Sequence, residues 1–118
     1  MKCPYCKKEA VWTDNSAVYG RSYGNSTMIW ICVPCNAYVG CHKNTKEPLG
    51  TIANAYLRGL RRDCHRVFDP IWKSGRMTRK DAYDYYSKKY NRDFHIATMD
   101  EEQCKVFLKT EKIVDIKR

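Results

Sequence analysis

Two short cysteine pairs, Cys3-Pro4-Tyr5-Cys6 and Cys32-Val33-Pro34-Cys35, constrain this chain more than any other feature. Two thiolates two residues apart on a tight turn can both reach one ion about 2.3 Å away, and zinc takes four such ligands as a tetrahedron. The 25 residues between the pairs are enough for a hairpin that brings the chain back to the ion. A proline inside each turn fixes one φ and helps organise the knuckle. One structural Zn2+ held by Cys3, Cys6, Cys32 and Cys35 is therefore expected. Four protein ligands close the coordination sphere, which leaves no open position for a reactive water. A dithiol redox site and an iron site are the alternatives. A redox pair, however, is usually a single CxxC at a helix start, and neither motif opens an expected helix.

The metal matters because a small ribbon buries little apolar surface and needs the ion for much of its folding free energy. The chain has 118 residues, enough for one compact unit with two lobes at most. No apolar run approaches the roughly 20 residues that span a bilayer, and the start MKCPYC has no stretch resembling a signal peptide. A cytoplasmic protein without a membrane partner is expected, and its seven cysteines would stay reduced.

The expected fold class is α+β. An N-terminal four-cysteine zinc ribbon over residues 1–49 would pack on a basic lobe of about three helices over 50–118, with Pro48 and Gly50 marking the join. Apolar and β-branched runs give three short antiparallel strands, at Ala10–Thr13, Met28–Cys32 and Ala37–Cys41, with a polar loop Asp14–Thr27 between the first two. A first helix would start after a Thr51 N-cap and stop near Asp69, because Pro70 disfavours continuation. Its apolar face would carry Ile52, Tyr56, Leu60, Cys64 and Val67. Thr78 with Asp81 reads as a capping box for a second helix to about Tyr90, with Ala82, Tyr83, Tyr86 and Tyr90 inward. Thr98 with Glu101 reads as one for a third, Met99 to about Lys109, burying Cys104, Phe107 and Leu108. Residues 111–118 would be a short strand or a frayed tail.

The formal net charge is +9, which favours an anionic partner. Residues 58–92 hold eleven Lys or Arg against four Asp, a surplus of seven. On the first helix Arg58, Arg61, Arg62, His65 and Arg66 lie opposite the apolar face. The basic run continues through Lys73, Arg76, Arg79 and Lys80. Phosphate contacts there would give affinity without sequence choice. A solvated helix surface is the plainer alternative. The loop Tyr19-Gly20-Arg21-Ser22-Tyr23-Gly24-Asn25 offers two aromatic faces and a cation suited to exposed bases, unless the tyrosines simply pack inward.

Cys41-His42 and Cys64-His65 invite a second metal site, but adjacent residues point in different directions and cannot readily chelate together. Cys64 and Cys104 fall on apolar helix faces and suit a core. His42 and His65 are the only plausible centre for a histidine-dependent nuclease, and no paired acidic motif or phosphate-cradling glycine loop supports an enzyme.

Cys-Pro-Tyr-Cys, Tyr-Gly-Arg-Ser-Tyr-Gly, Cys-Val-Pro-Cys-Asn-Ala-Tyr-Val-Gly, Pro-Leu-Gly-Thr and His-Arg-Val-Phe-Asp-Pro-Ile-Trp, in that order, resemble an uncharacterised zinc-finger-containing family of bacteriophages and prophages. The resemblance covers Cys3 to about Tyr90 and implies zinc at the same four cysteines. It also implies a bacterial host cytosol and two roles: a nucleic-acid accessory protein, or an inhibitor of a host defence enzyme. Anti-CRISPR proteins are similar in size and type. The expected partner is thus nucleic acid or a nucleoprotein such as a CRISPR effector nuclease, whose target loading or cleavage the chain would block.

Overall fold

The computed structural model describes residues 1–116, with side chains to Glu111. The chain divides into two compact units, Met1–Tyr56 and Leu57–Arg118.

In the first unit three strands, β1 (Val11–Asp14), β2 (Met28–Cys32) and β3 (Ala37–Gly40), form an antiparallel sheet in chain order. The register sets Trp12 opposite Trp30, and Trp30 opposite Val39. A small core of Ala10, Ala37 and Ile52 takes Trp30, Cys35 and Val39 against it. The expected strands are therefore present, with β1 one residue later and β3 one residue shorter than the apolar runs suggested.

Two departures from expectation occur in this unit. The polar segment after β1 contains a single helical turn, α1 (Ser16–Tyr19), closed by Gly20 at φ +80°. Only glycine takes that left-handed conformation at no steric cost. Second, the long helix does not begin at Thr51. Ala53 exchanges both backbone hydrogen bonds with Tyr38, at 3.1 and 3.0 Å, so residues around it extend the sheet edge. Backbone groups paired in a β-bridge are not available to a helix, and α2 starts only at Ala55.

The second unit contains α2 (Ala55–Lys73, whose first turn lies at the boundary), α3 (Arg79–Lys89), a 3-10 turn (Ile96–Thr98) and α4 (Glu101–Ile116). α2 runs through Pro70 rather than ending before it. Pro70 removes one ladder hydrogen bond near the helix end, and Phe68, fully buried, holds the last turns in the core. Gly75, at φ +82°, then terminates the segment, with its N–H on the Trp72 carbonyl. The buried residues of α2 are Leu57, Cys64 and Phe68, whereas Tyr56 is exposed and Leu60 and Val67 are half-buried.

Thr78 caps α3 as expected, its Oγ1 accepting from the Asp81 N–H at 3.0 Å. The cap of α4 differs. Asp100 Oδ1 accepts from the Gln103 N–H at 2.8 Å while Gln103 Oε1 accepts from the Asp100 N–H at 3.0 Å, a reciprocal capping box. Thr98 instead closes the 3-10 turn by donating to the His95 carbonyl. α4 continues to Ile116, so residues 111–116 are helical, not a strand or frayed tail; residues 117–118 lie outside the described residues. Phe68, Tyr86, Phe94 and Phe107 meet with ring centroids 5.3 to 5.8 Å apart and form the centre of the helical core. Among the described residues no helix is long and apolar enough to cross a membrane.

Candidate metal centre

Each cysteine pair sits on a tight turn that ends in a left-handed residue. In the first, the Lys7 N–H bonds the Cys3 carbonyl at 2.9 Å and Lys7 takes φ +66°. In the second, the Asn36 N–H bonds the Val33 carbonyl at 3.1 Å and Asn36 takes φ +50°. In both, the residue after the second cysteine is left-handed, which reverses the chain sharply enough to aim both sulfurs inward. Cys32 ends β2 and Cys35 lies in the link to β3, so the sheet register positions the second pair. The first pair is fixed by the Cys3 N–H to the Lys8 carbonyl at 2.8 Å and by Tyr5 Oη, which accepts from the Asn54 N–H at 3.1 Å.

The four sulfurs lie within 4.8 Å of one another, and Cys6 Sγ to Cys32 Sγ is 3.6 Å. That separation is far beyond a disulfide bond of about 2.05 Å. It is close to the roughly 3.8 Å edge of a tetrahedron with zinc to sulfur distances of about 2.3 Å. Cys3 and Cys32 are buried, while Cys6 and Cys35 are half-buried. Four thiols packed this closely hold protons unequally. Burial raises the Cys3 pKa, but the backbone N–H groups of Cys6 and Tyr5 and the neighbouring thiols outweigh it and bring it down to about 7. Sharing a proton with Cys32, together with burial, pushes Cys35 up to about 12. A divalent cation at the centre lets all four ionise. One structural zinc fits this donor set, and among the described residues it is the one group of His, Cys, Asp and Glu placed to hold an ion.

The other cysteines do other work. Cys41 is buried beside exposed His42, and Cys64 is buried beside half-exposed His65, so neither pair converges. Burial raises the Cys41 thiol above its ordinary range. Cys64 and Cys104 are both fully buried in the helical core.

The basic residues divide into several groups. Arg62 and Arg66 are exposed on α2 and Arg58 is half-buried on the same face; Arg66 lies 3.5 Å from Asp63. His65 donates from Nδ1 to Asp69 Oδ1 at 3.1 Å, and the same oxygen accepts from Trp72 Nε1 at 3.3 Å. Asp69 and Trp72, at i+4 and i+7 from His65, were missed as partners of that histidine, although the helical spacing was there to be read. Arg79 places its guanidinium 5.5 Å from the Trp72 ring and 5.7 Å from the Tyr83 ring, while Lys80 pairs with Asp84 at 2.9 Å and Arg76 is exposed. Arg61 is turned away from this group and donates to the Met99 carbonyl. Tyr19, Arg21 and Tyr23 belong to the first unit and are exposed on the loop that holds α1.

A family model described as a zinc-finger-containing domain matches residues 1–114, and so takes in both units. No curated protein and no solved structure matches the chain.

Proposed function

Since this chain belongs to the zinc-finger-containing domain family, we propose that it is a binding module that grips nucleic acid through the outer face of α2, with the zinc site as scaffold and no catalytic step of its own. One observation carries the reading. Arg58, Arg62 and Arg66 repeat every fourth residue along one face of a regular helix, about 6 Å apart along its axis. Their charges extend through Lys73 to Arg79. Such a row meets a phosphate backbone by charge and geometry without reading bases. Asp69 fixes the His65 ring among the arginines.

The test is retention of naked DNA and RNA across a salt series by the zinc-loaded chain, compared with Arg62→Glu/Arg66→Glu. Binding that weakens steeply with salt and is lost in the variant, with zinc content and melting temperature unchanged, supports the reading. Equal retention by both proteins rejects it. The second role implied by a phage setting, an inhibitor of an RNA-guided nuclease, predicts instead that the chain co-elutes with the nuclease and suppresses target loading. A histidine-dependent nuclease predicts cleavage that disappears in His42→Ala/His65→Ala.

A further inference from the structure

The segment 14–27 reverses the usual arrangement of a surface loop: its polar residues are the anchors and its aromatic residues face water. Asn15 is 6% exposed, and its side chain donates to the Tyr23 carbonyl at 2.8 Å and accepts from the Tyr23 N–H at 2.9 Å, so a side-chain amide pairs with the loop as a β-strand would. Asp14 Oδ1 accepts from the Ser16 N–H and from Ser22 Oγ, both at 2.8 Å, and the Asn15 N–H bonds the Thr27 carbonyl at 2.6 Å. Gly20 and Gly24, both left-handed and with nothing within 4 Å of an added Cβ, turn the chain in open space. The product is a cross-linked loop that displays Tyr19 at 53% and Tyr23 at 64% exposure, with exposed Arg21 between them. The two rings have centroids 5.7 Å apart at 53°, a tilted pair in which each keeps more than half its surface in water.

We infer that this loop is a stacking platform for the unpaired bases of single-stranded nucleic acid, with Tyr19 and Tyr23 taking base faces and Arg21 the adjacent phosphate. The inference rests on the nucleic-acid reading above and adds to it a preference for unpaired strands. Aromatic rings bind any base through its π face, so no sequence choice is needed, and an ordered loop loses little entropy when it binds. Duplex bases are stacked on each other and offer no such face, whereas the arginine row of α2 needs only phosphate. The two surfaces therefore differ in what they distinguish.

The experiment measures affinity of the full zinc-loaded chain for a short oligothymidine and for a duplex of equal length, in wild type, Tyr19→Ala/Tyr23→Ala and Tyr19→Phe/Tyr23→Phe. Expected is a loss of about tenfold or more for the single strand in the alanine variant, rescue by phenylalanine, and unchanged duplex binding. Unchanged single-strand affinity in the alanine variant overturns the inference, and so does an equal loss on both ligands. Failure of the wild-type chain to bind either ligand at low salt overturns the underlying nucleic-acid reading instead, a result distinct from both.

Discussion

Arg61 donates from Nε and Nη2 to the carbonyl oxygen of Met99, at 3.0 and 2.8 Å, and so ties α2 to the chain just ahead of α4. Met99 is fully buried, and its carbonyl belongs to the residue preceding the Asp100 cap. Leaving such an acceptor unpaired costs about 1–3 kcal/mol. Arg61→Ala should therefore lower the unfolding free energy of the zinc-loaded chain, read from chemical denaturation, by an amount in that range, whereas Arg62→Ala, one position around the helix, should leave it unchanged. Equal melts of the two variants would show that the contact contributes nothing.

The cysteines divide by role. Cys6→Ser should abolish stoichiometric zinc and unfold the first unit, as read by elemental analysis and by loss of the dispersed amide signals of β1 to β3. Cys41→Ser, whose thiol stays protonated in a buried site, should keep one zinc per chain. Acid should release the ion, since proton uptake by the thiolates competes with it, and a strong chelator at neutral pH should do the same. A Cys41→Ser protein that loses its metal would mean the ligand set is wrong.

Asp14 gives a pH signature. Hydrogen bonds from the Ser16 backbone and from Ser22 hold its pKa down to about 2, against an ordinary value of 3.8. A carboxylate with a depressed folded pKa contributes order above its ordinary value and loses it as pH falls towards the folded one. The loop should therefore be fully held at neutral pH and loosen between about pH 4 and 2, with the Ser16 amide resonance reporting the change. In Asp14→Asn that amide should not titrate. An Asp14 midpoint near 4 in the wild-type chain would contradict the bonding described.

The metal ligands were legible in the sequence because zinc chemistry demands both residue type and spacing, and a CxxC turn carries that demand locally. Strand positions followed from apolar runs for the same local reason. Arg61 was misplaced because tertiary structure decided its role. The buried stripe of α2 follows Leu57, Cys64 and Phe68, with Arg61 four residues after the first and three before the second. Reading the apolar face through Tyr56, Leu60 and Val67 turned the helix by part of a turn and moved Arg61 into solvent. Pro70 and Thr98 went astray similarly: each carries a strong local signal, and in each case the packing of neighbours, Phe68 and Met99, outweighed it. Asn15 left no sequence signal, since a buried amide is recognisable only once its partner across the loop is known.

The tetrathiolate site also bears on how the molecule behaves at long range. Four thiolates around Zn2+ leave two negative charges, and residues 1–56 carry six Lys or Arg against three acids, so the loaded first unit is left near +1. Residues 57–118 keep sixteen against ten, or +6. Metal loading thus concentrates the chain's positive charge in residues 57–118, and the electrostatic character of residues 1–56 depends on whether the ion is bound.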